Sequence, residues 1–531
     1  MDTYCFLETL LAYENNKFVT LYSKGKIHLT VKYDIDVLIV GAGPTGSILA
    51  ADLLRRGVSV QLIDKAAHSF KGSRAKGIQP RTQEVLEDLG ILKEAHAEGG
   101  AYPLMGIHVG PLTVPFRMQK QKKMSADVPY PNVLLLPQYR PDSILHRLLE
   151  RNGLNVAFNT EIISFEQDDS GVKITLSTGE KIRCKYLIGA DGGSSTVRKA
   201  AGIPFIGKTN EADRMLIIDS TINGLSRNRW HVWPRTHGKQ VAACPLPHTN
   251  QFQVMIRLTP DESVNLDDTA LATMFDSLTG LHLQDITWTS VFRPNVRLAE
   301  HYRSGRVFLA GDSAHVHTPA GAQGLNTGIQ DAYNLSWKLG QVIKGAPETL
   351  LDSYEAERQP IAAQVLKLSS ELYAKIEQKS LSGLKRGDEE RQLGISYYGG
   401  PLAPTDSSAT KTLRVGDRAP DAPSKGPDGL TRLFELYQGP HFTLLAFGAN
   451  AINTLSRLYW PTASAELRCY AIGNGMDVDN NHITDTTGKL SSIYGFTCDT
   501  LMLIRPDGYI GCIITDDWLA TFNNIAKRFT I

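Results

Sequence analysis

Three glycine-punctuated places hold the residues best suited to chemistry. Gly41-Ala42-Gly43-Pro44-Thr45-Gly46 spells G-x-G-x-x-G directly after the apolar run 35–40, IDVLIV. The first glycine permits a tight turn, the second lets the backbone approach a pyrophosphate, and the third lets a helix pack on a strand. A helix starting there turns free N–H groups and the positive end of its dipole toward phosphates. Asp64, with Lys65 beside it, ends the next apolar run, about 20 residues on, where a ribose-binding acid belongs. Residues 186–198 read YLIGADGGSSTVR and place Asp191 at a strand-to-helix turn. Residues 305–334 read GRVFLAGDSAHVHTPAGAQGLNTGIQDAYN, where Gly311-Asp312 closes a strand and Gly321, Gly324 and Gly328 punctuate the way into a helix. Such a loop can turn backbone N–H groups toward an electron-rich ring edge, because glycine removes the steric bar to close approach.

The elements that must hold these residues are legible in outline. Runs 35–40 and 58–63 read as buried strands around a helix over 45–56, with Gly57 as its stop, so the first motif sits in a β-α-β unit. Residues 155–189 read as successive strands with turns at Asp169-Ser170-Gly171 and Thr178-Gly179. A further strand at 306–310 runs into Gly311, and helices are expected over 328–340 and 350–379. Residues 401–427 read as a proline-rich linker. Beyond it, strands at 442–447 and 501–505 and a turn at Arg505-Pro506-Asp507-Gly508 point to a separate α/β domain. Residues 1–32 precede the first clear element and form an extension of unknown role, for which an added helix, a flexible arm and a misplaced start codon are all compatible.

Composition excludes several classes. With 56 basic against 55 acidic residues and a net charge of +1, nothing favours nucleic acid or an anionic membrane as partner. The six cysteines form no C-x-x-C and no cysteine–histidine zinc spacing, which reads as free thiols in a reducing compartment. No apolar stretch approaches the ~20 residues of a membrane helix, and the start lacks the basic opening of a signal peptide. A cytoplasmic setting is the expectation.

Taken together in this order and spacing, the three motifs resemble the single-component FAD-dependent aromatic hydroxylases with a p-hydroxybenzoate-hydroxylase-like fold. The chain is most similar to the larger members, such as phenol, pentachlorophenol, hydroxyphenylpropionate and aromatic polyketide hydroxylases. The segment 413–420, LRVGDRAP, looks like the start of their C-terminal domain. The resemblance implies an α/β chain: a Rossmann-like FAD-binding domain over 33–400 with an inserted α+β substrate domain (about 102–131 and 204–294), then a thioredoxin-like domain over 413–531. It implies that Asp64 binds the adenosine ribose, Asp191 lies near the pyrophosphate and the nicotinamide groove, and Asp312 binds the ribityl chain. The N–H groups of Leu325 and Asn326 would meet the flavin pyrimidine edge. Arg74 and Gln138 match positions that touch the cofactor, which completes a set of Gly41, Gly43, Gly46, Asp64, Lys65, Arg74, Gln138, Asp191, Gly311, Asp312, Gly324, Leu325 and Asn326.

The implied reaction uses NADPH or NADH as transient electron donor and dioxygen, and inserts one oxygen atom into a small phenol-like or polyketide substrate through a flavin hydroperoxide. A Baeyer–Villiger or epoxidising oxygenase, an antibiotic-inactivating one, and a non-catalytic FAD or aromatic-ligand binder remain as alternatives. A halogenase is disfavoured by the lack of a W-x-W-x-I-P segment. No catalytic base is assigned. The phenol hydroxylase branch looks to carry an acid near Lys76; a lysine there could pair with an anionic substrate, although a solvent-facing side chain is the expectation. Lys120, Lys122 and Lys123 read as a solvated loop. Alternation along 230–233 puts Trp230 on the face opposite His231 and Trp233, and Trp230 is expected in core packing rather than in a ligand wall. His317-Thr318-Pro319 is expected near the flavin face, and a metal pair of His315 and His317 is the weaker reading. The C-terminal domain, lacking C-x-x-C, is expected to be redox-inert and to contact the main body or a second subunit, as in a homodimer.

Overall fold

Past Asp36 the run 35–40 is apolar on both faces, as suits a strand covered from two sides, and Ile35–Val40 is that strand. This computed structural model describes residues 32–530 except 211–212, 261, 319–320, 378–384, 427–428, 462–464 and 474–480, together with the backbone of strands Tyr13–Glu14, Lys17–Tyr22 and Lys26–Thr30. Those three N-terminal strands pair antiparallel, where a helix or an arm had been open readings.

Ile35–Val40 pairs in parallel with Val60–Ile63 on one side and with Lys181–Gly189 on the other, and Lys181–Gly189 pairs in parallel with Val307–Leu309. The register sets Ile63 against Val40, Val40 against Gly189, and Gly189 against Leu309. All these strands therefore end in one row. Asp64, Gly41, Asp191 and Gly311-Asp312 all leave the sheet at this carboxyl edge, the side on which open α/β sheets bind ligands. Antiparallel strands Ile162–Asp168 and Gly171–Leu176 extend the sheet.

Helix α1, Pro44–Arg55, begins on proline, whose missing N–H costs nothing at a first turn. Four more helices that bear on the site follow: α2, Pro80–Asp88; α3, Tyr139–Arg151; α4, Thr196–Ala200; and α5, Gly324–Ile343. The last is longer at both ends than the expected 328–340, because its glycine-rich first turn carries no apolar period to mark the start. Helix α6, Asp352–Glu377, encloses Pro360.

A second sheet of seven strands runs Leu283–Phe292, Arg214–Ile222, Gln251–Leu258, Lys239–Pro245, Arg229–Thr236, Leu104–Val109, Leu112–Phe116. Its period-2 alternation divides each strand between two faces. Leu216, Ile218, Val254 and Ile256 are buried in a core with Leu271 and Phe275 of helix Asp268–Thr279. Their neighbours Met215, Ile217, Gln253 and Met255 face the carboxyl edge of the first sheet across a cavity.

Beyond residue 440 a five-stranded mixed sheet, His482–Ile483, Leu467–Ile472, Phe442–Phe447, Thr500–Ile504, Ile510–Ile514, carries apolar clusters on both faces. Trp337 of α5 belongs to one of these clusters. The turn Arg505-Pro506-Asp507-Gly508 locks this unit onto the rest of the chain. Arg505 pairs with Glu357 of α6 at 2.7 Å, and Arg81 of α2 donates to the Asp507 carbonyl at 2.6 Å. Among the described residues no cysteine is in a disulfide, and no helix is long and apolar enough to cross a membrane.

Candidate active site

The carboxyl edge is built by close backbone approach. Gly41 has φ 104°, and a Cβ on it would lie 2.3 Å from the Ala190 carbonyl oxygen, so only glycine lets the first and second motifs stand side by side. A Cβ on Gly46 would lie 1.9 Å from the Gly41 carbonyl oxygen, which is how closely α1 sits on its turn. Over Gly43, by contrast, a Cβ would meet nothing within 4 Å, and no side chain caps α1. Asp64 accepts from the N–H of Ala42 and of Ala66, each at 2.8 Å, and so braces the turn while lining the cavity. Asp191 accepts from Thr196 N at 2.7 Å and Ser195 Oγ at 2.5 Å, which fixes the start of α4.

The Gly311-Asp312 turn is held from beneath. Asp331 of α5, fully buried, accepts from Gly311 N at 3.1 Å and Arg358 Nε at 2.8 Å, and is hydrogen-bonded to His315 Nε2 at 2.6 Å. Burial opposes ionisation of Asp331, but His315 and Arg358 outweigh it and keep the carboxyl below its usual range. With Gly311 fixed, the Asp312 side chain stays exposed to the cavity. Asn326 is spent on structure: it accepts from Gln79 N and donates to the Gly77 and Ala322 carbonyls, all at 2.8 Å, tying the loop before α2 to the loop before α5.

Between this edge and the inner face of the seven-stranded sheet lies one cavity of about 1400 Å³. Its sheet wall is apolar and aromatic, with Met105, Met215, Ile217, Trp230, Met255 and Phe292. A drug-sized ligand takes roughly 300–1,000 Å³, so this volume has room for more than one molecule. Lys76 is buried there, its Nζ donating to Gln253 Oε1 and standing 4.7 Å from the centre of the Trp230 ring.

Residues 34–369 match the family model described as FAD binding domain. Over 505 residues the chain is 40% identical to a flavin-dependent monooxygenase of Mycobacteroides abscessus, covering 92% of this chain and 99% of that one. The chain belongs to the FAD-dependent monooxygenases. It is also 30% identical to pentachlorophenol 4-monooxygenase of Sphingobium chlorophenolicum, over 90% of this chain and 93% of that one. Aklavinone-11 hydroxylase, solved with FAD and aklavinone, superposes with a TM-score of 0.79 at 25% identity, over 94% of this chain and 99% of that one.

FAD is thus the enzyme's cofactor, and the cavity suits it. The space over Gly43 admits a phosphate against the start of α1. Buried Gln79 Oε1 and His317 Nε2 both belong to residues lining the cavity and have no hydrogen-bond partner among the described residues, as expected where a ligand completes the bonding. Burial lowers the His317 pKa, which favours the neutral ring there.

Of the residues singled out in the sequence, Gly41, Gly43, Asp64, Lys65, Arg74, Gln138, Asp191, Asp312, Gly324 and Leu325 line this one cavity. Gly46 and Gly311 lie behind it as packing positions, and the side chain of Asn326 is turned away into its clamp. Two expectations are corrected. Lys76 does not face solvent: it is 8% exposed, because the sheet wall closes over it. Trp230 is not core packing but cavity wall, while His231 and Trp233 stack with His108 on the far face. The alternation placed these side chains correctly and only the choice of face was wrong. His315 serves Asp331, and the described residues include no group of side chains able to hold a metal. Pro319 lies outside the described residues. Lys122 is exposed and pairs with Asp388, in keeping with a solvated loop. Gln253 and Arg386 reach the cavity from segments without a motif, and Asp331, although inside the third motif, carries no mark there of its hold on Gly311.

Proposed function

We propose that the enzyme hydroxylates a phenol-like aromatic or polyketide ring, with FAD along the carboxyl edge and the substrate against the seven-stranded sheet. The observation that carries this reading is the single cavity of about 1400 Å³ with a glycine-lined edge on one side and Met215, Trp230 and Phe292 on the other. In this arrangement the pyrophosphate lies on the start of α1, Asp64 takes the adenosine ribose, and Asp312 takes the ribityl chain. The N–H groups that open α5 at Leu325 and Asn326 meet the pyrimidine edge and steady negative charge there. Arg74 and Gln138 flank the cofactor. Bound flavin, reduced by NADPH or NADH, supplies the activation of dioxygen and the electrophilic oxygen atom. The protein orients the ring and excludes water from it. Names of relatives support the substrate class: one acts on pentachlorophenol and another was solved with aklavinone.

The unit beyond residue 413 is thioredoxin-like in this reading, supported by its mixed five-stranded sheet with helices Ala449–Thr454 and Trp518–Ala526 packed on one core. Its sequence has no C-x-x-C, so its work is structural. The direct test is anaerobic reduction of the FAD-loaded protein by NADPH and by NADH, with and without polycyclic phenols. Faster bleaching of the flavin with one class of phenol is the expected result. A flavin that neither nicotinamide reduces, with any phenol present, overturns the reading.

A further inference from the structure

Lysine is seldom buried without a carboxylate to neutralise it, because removing an ammonium from water costs several kcal/mol. Lys76 is such a case. It makes no ion pair among the described residues, lines the substrate side of the cavity, and lies over the Trp230 ring. Among the described residues its Nζ has one hydrogen-bond partner, Gln253 Oε1, which leaves the rest of the amine to the cavity that Lys76 lines. Behind Gln253 the polar chain continues away from the cavity. Gln253 Nε2 donates to the Ser73 carbonyl at 2.6 Å and to Ser73 Oγ at 2.7 Å, and Ser73 N donates to Asp219 at 2.8 Å. This chain fixes the Gln253 amide with its oxygen toward Lys76. Among the described residues the acids that line the cavity, Asp64, Glu161, Asp191, Asp312 and Glu390, are all on other elements than the sheet that carries Gln253 and Trp230.

We propose that Lys76 is the catalytic residue that receives the substrate's acidic hydroxyl: its amine takes the phenolic proton, and the ammonium so formed holds the phenolate oxygen beside Trp230. The O–H bond breaks, an N–H bond forms, and the electron pair stays on oxygen, where it enriches the ring for attack by an electrophilic oxygen. This inference rests on the hydroxylase reading and deepens it by assigning the group that ionises the substrate. Burial lowers the Lys76 pKa against the opposing influence of Cys244 and Asp219, which favours the neutral amine over what a solvated lysine would show. Asp219, the acid whose charge acts on Lys76, is itself pushed up to about 6 by burial, against hydrogen bonds from Ser73 and the charge of Lys76. It therefore gives Lys76 less counter-charge as pH falls, while Cys244 is held neutral by burial, its thiol pushed up to about 11. The phenolate supplies the missing counter-charge.

The test uses FAD-loaded wild type, Lys76→Met, Lys76→Gln and Lys76→Arg, with 4-nitrophenol as probe because its neutral and ionised forms absorb differently. Difference spectra across pH report the form bound, and flavin content with circular dichroism reports folding. Wild type is expected to bind the ionised form at a pH at least one unit below that at which the free probe ionises, a tenfold preference. Lys76→Arg should keep the preference for the anion, and Lys76→Met should lose it with full flavin content. Lys76→Gln, which keeps a polar group for Gln253, should lose it too and replaces Lys76→Met if that variant does not fold. Wild type that binds no ionised probe, or neutral variants that bind it as well as wild type does, overturn the proposal. Oxygenated product is scored on the same preparations. Product from wild type with no change in the variants sinks only the role of Lys76, whereas no product from wild type with any phenol sinks the hydroxylase reading itself.

Discussion

Replacing Arg505 by methionine should loosen the whole catalytic body, although the residue lies outside the cavity. Arg505 donates to Glu357 at 2.7 and 2.9 Å and to Asp507 at 3.0 and 2.6 Å. Lys338 of α5 adds a second cation at 2.7 Å from Glu357. The two cations and two carboxylates are each about 1% exposed or less, and their charges balance. Arg505→Met leaves Glu357 and Asp507 facing Lys338 alone, one buried negative charge without a partner. Breaking a buried pair in this way costs about 3–5 kcal/mol. Adding Asp507→Asn restores neutrality, so the double variant should lose only the hydrogen bonds, at about 1 kcal/mol for each one left unmade. The assay is urea unfolding followed by flavin release and by tryptophan fluorescence. Because the same turn meets α2, α5 and α6, both signals should move together. Arg505→Met within 1 kcal/mol of wild type, or a double variant less stable than Arg505→Met, refutes this reasoning.

Three further outcomes follow from the same geometry. Burial opposes ionisation of Glu357, but Arg505 and Lys338 prevail and hold it at about 2, against 4.5 for the free group. Its share of stability, about 3 kcal/mol, is therefore full above pH ~4.5 and lost as pH falls toward 2; acid titration of flavin release should show that loss in wild type and not in Glu357→Gln. Gly41→Ala places a Cβ 2.3 Å from the Ala190 oxygen at a φ of 104°, so the purified variant should carry less than about a tenth of the wild-type flavin absorbance, since strain and clash together exceed the ~1.4 kcal/mol of a tenfold loss. Trp230→Ala removes a wall of the cavity and the ring beneath Lys76; KM for the aromatic substrate should rise about tenfold or more, as for loss of an aromatic contact worth 1.5 kcal/mol, with flavin content unchanged.

What could be read in the sequence was whatever is decided locally. The run 35–40, the glycines after it and Asp64 belong to one β-α-β unit, where apolar run, turn and acid follow within 30 residues. The strand at Phe442–Phe447 is likewise decided by its own six residues. The face of a strand is decided elsewhere. Trp230 is cavity wall because helix Asp268–Thr279 covers the other side, and no pattern within 229–236 says which side that will be. Lys76 is buried by Gln253 and Trp230, more than 150 residues away in the chain, so its own neighbourhood reads as an ordinary loop. Asp331 holds Gly311 from 20 residues further on, within a helix whose period marks it only as a polar position.

The central claim is that this chain, loaded with FAD, places one atom of dioxygen on an aromatic ring. The measurement is product mass from the FAD-loaded protein with NADPH, isotopically labelled dioxygen, and a panel of phenols and polycyclic quinols. A hydroxylated product that carries one labelled oxygen, formed in step with NADPH oxidation, is the predicted result. A protein that binds FAD and consumes NADPH yet leaves every compound of the panel without labelled oxygen contradicts it.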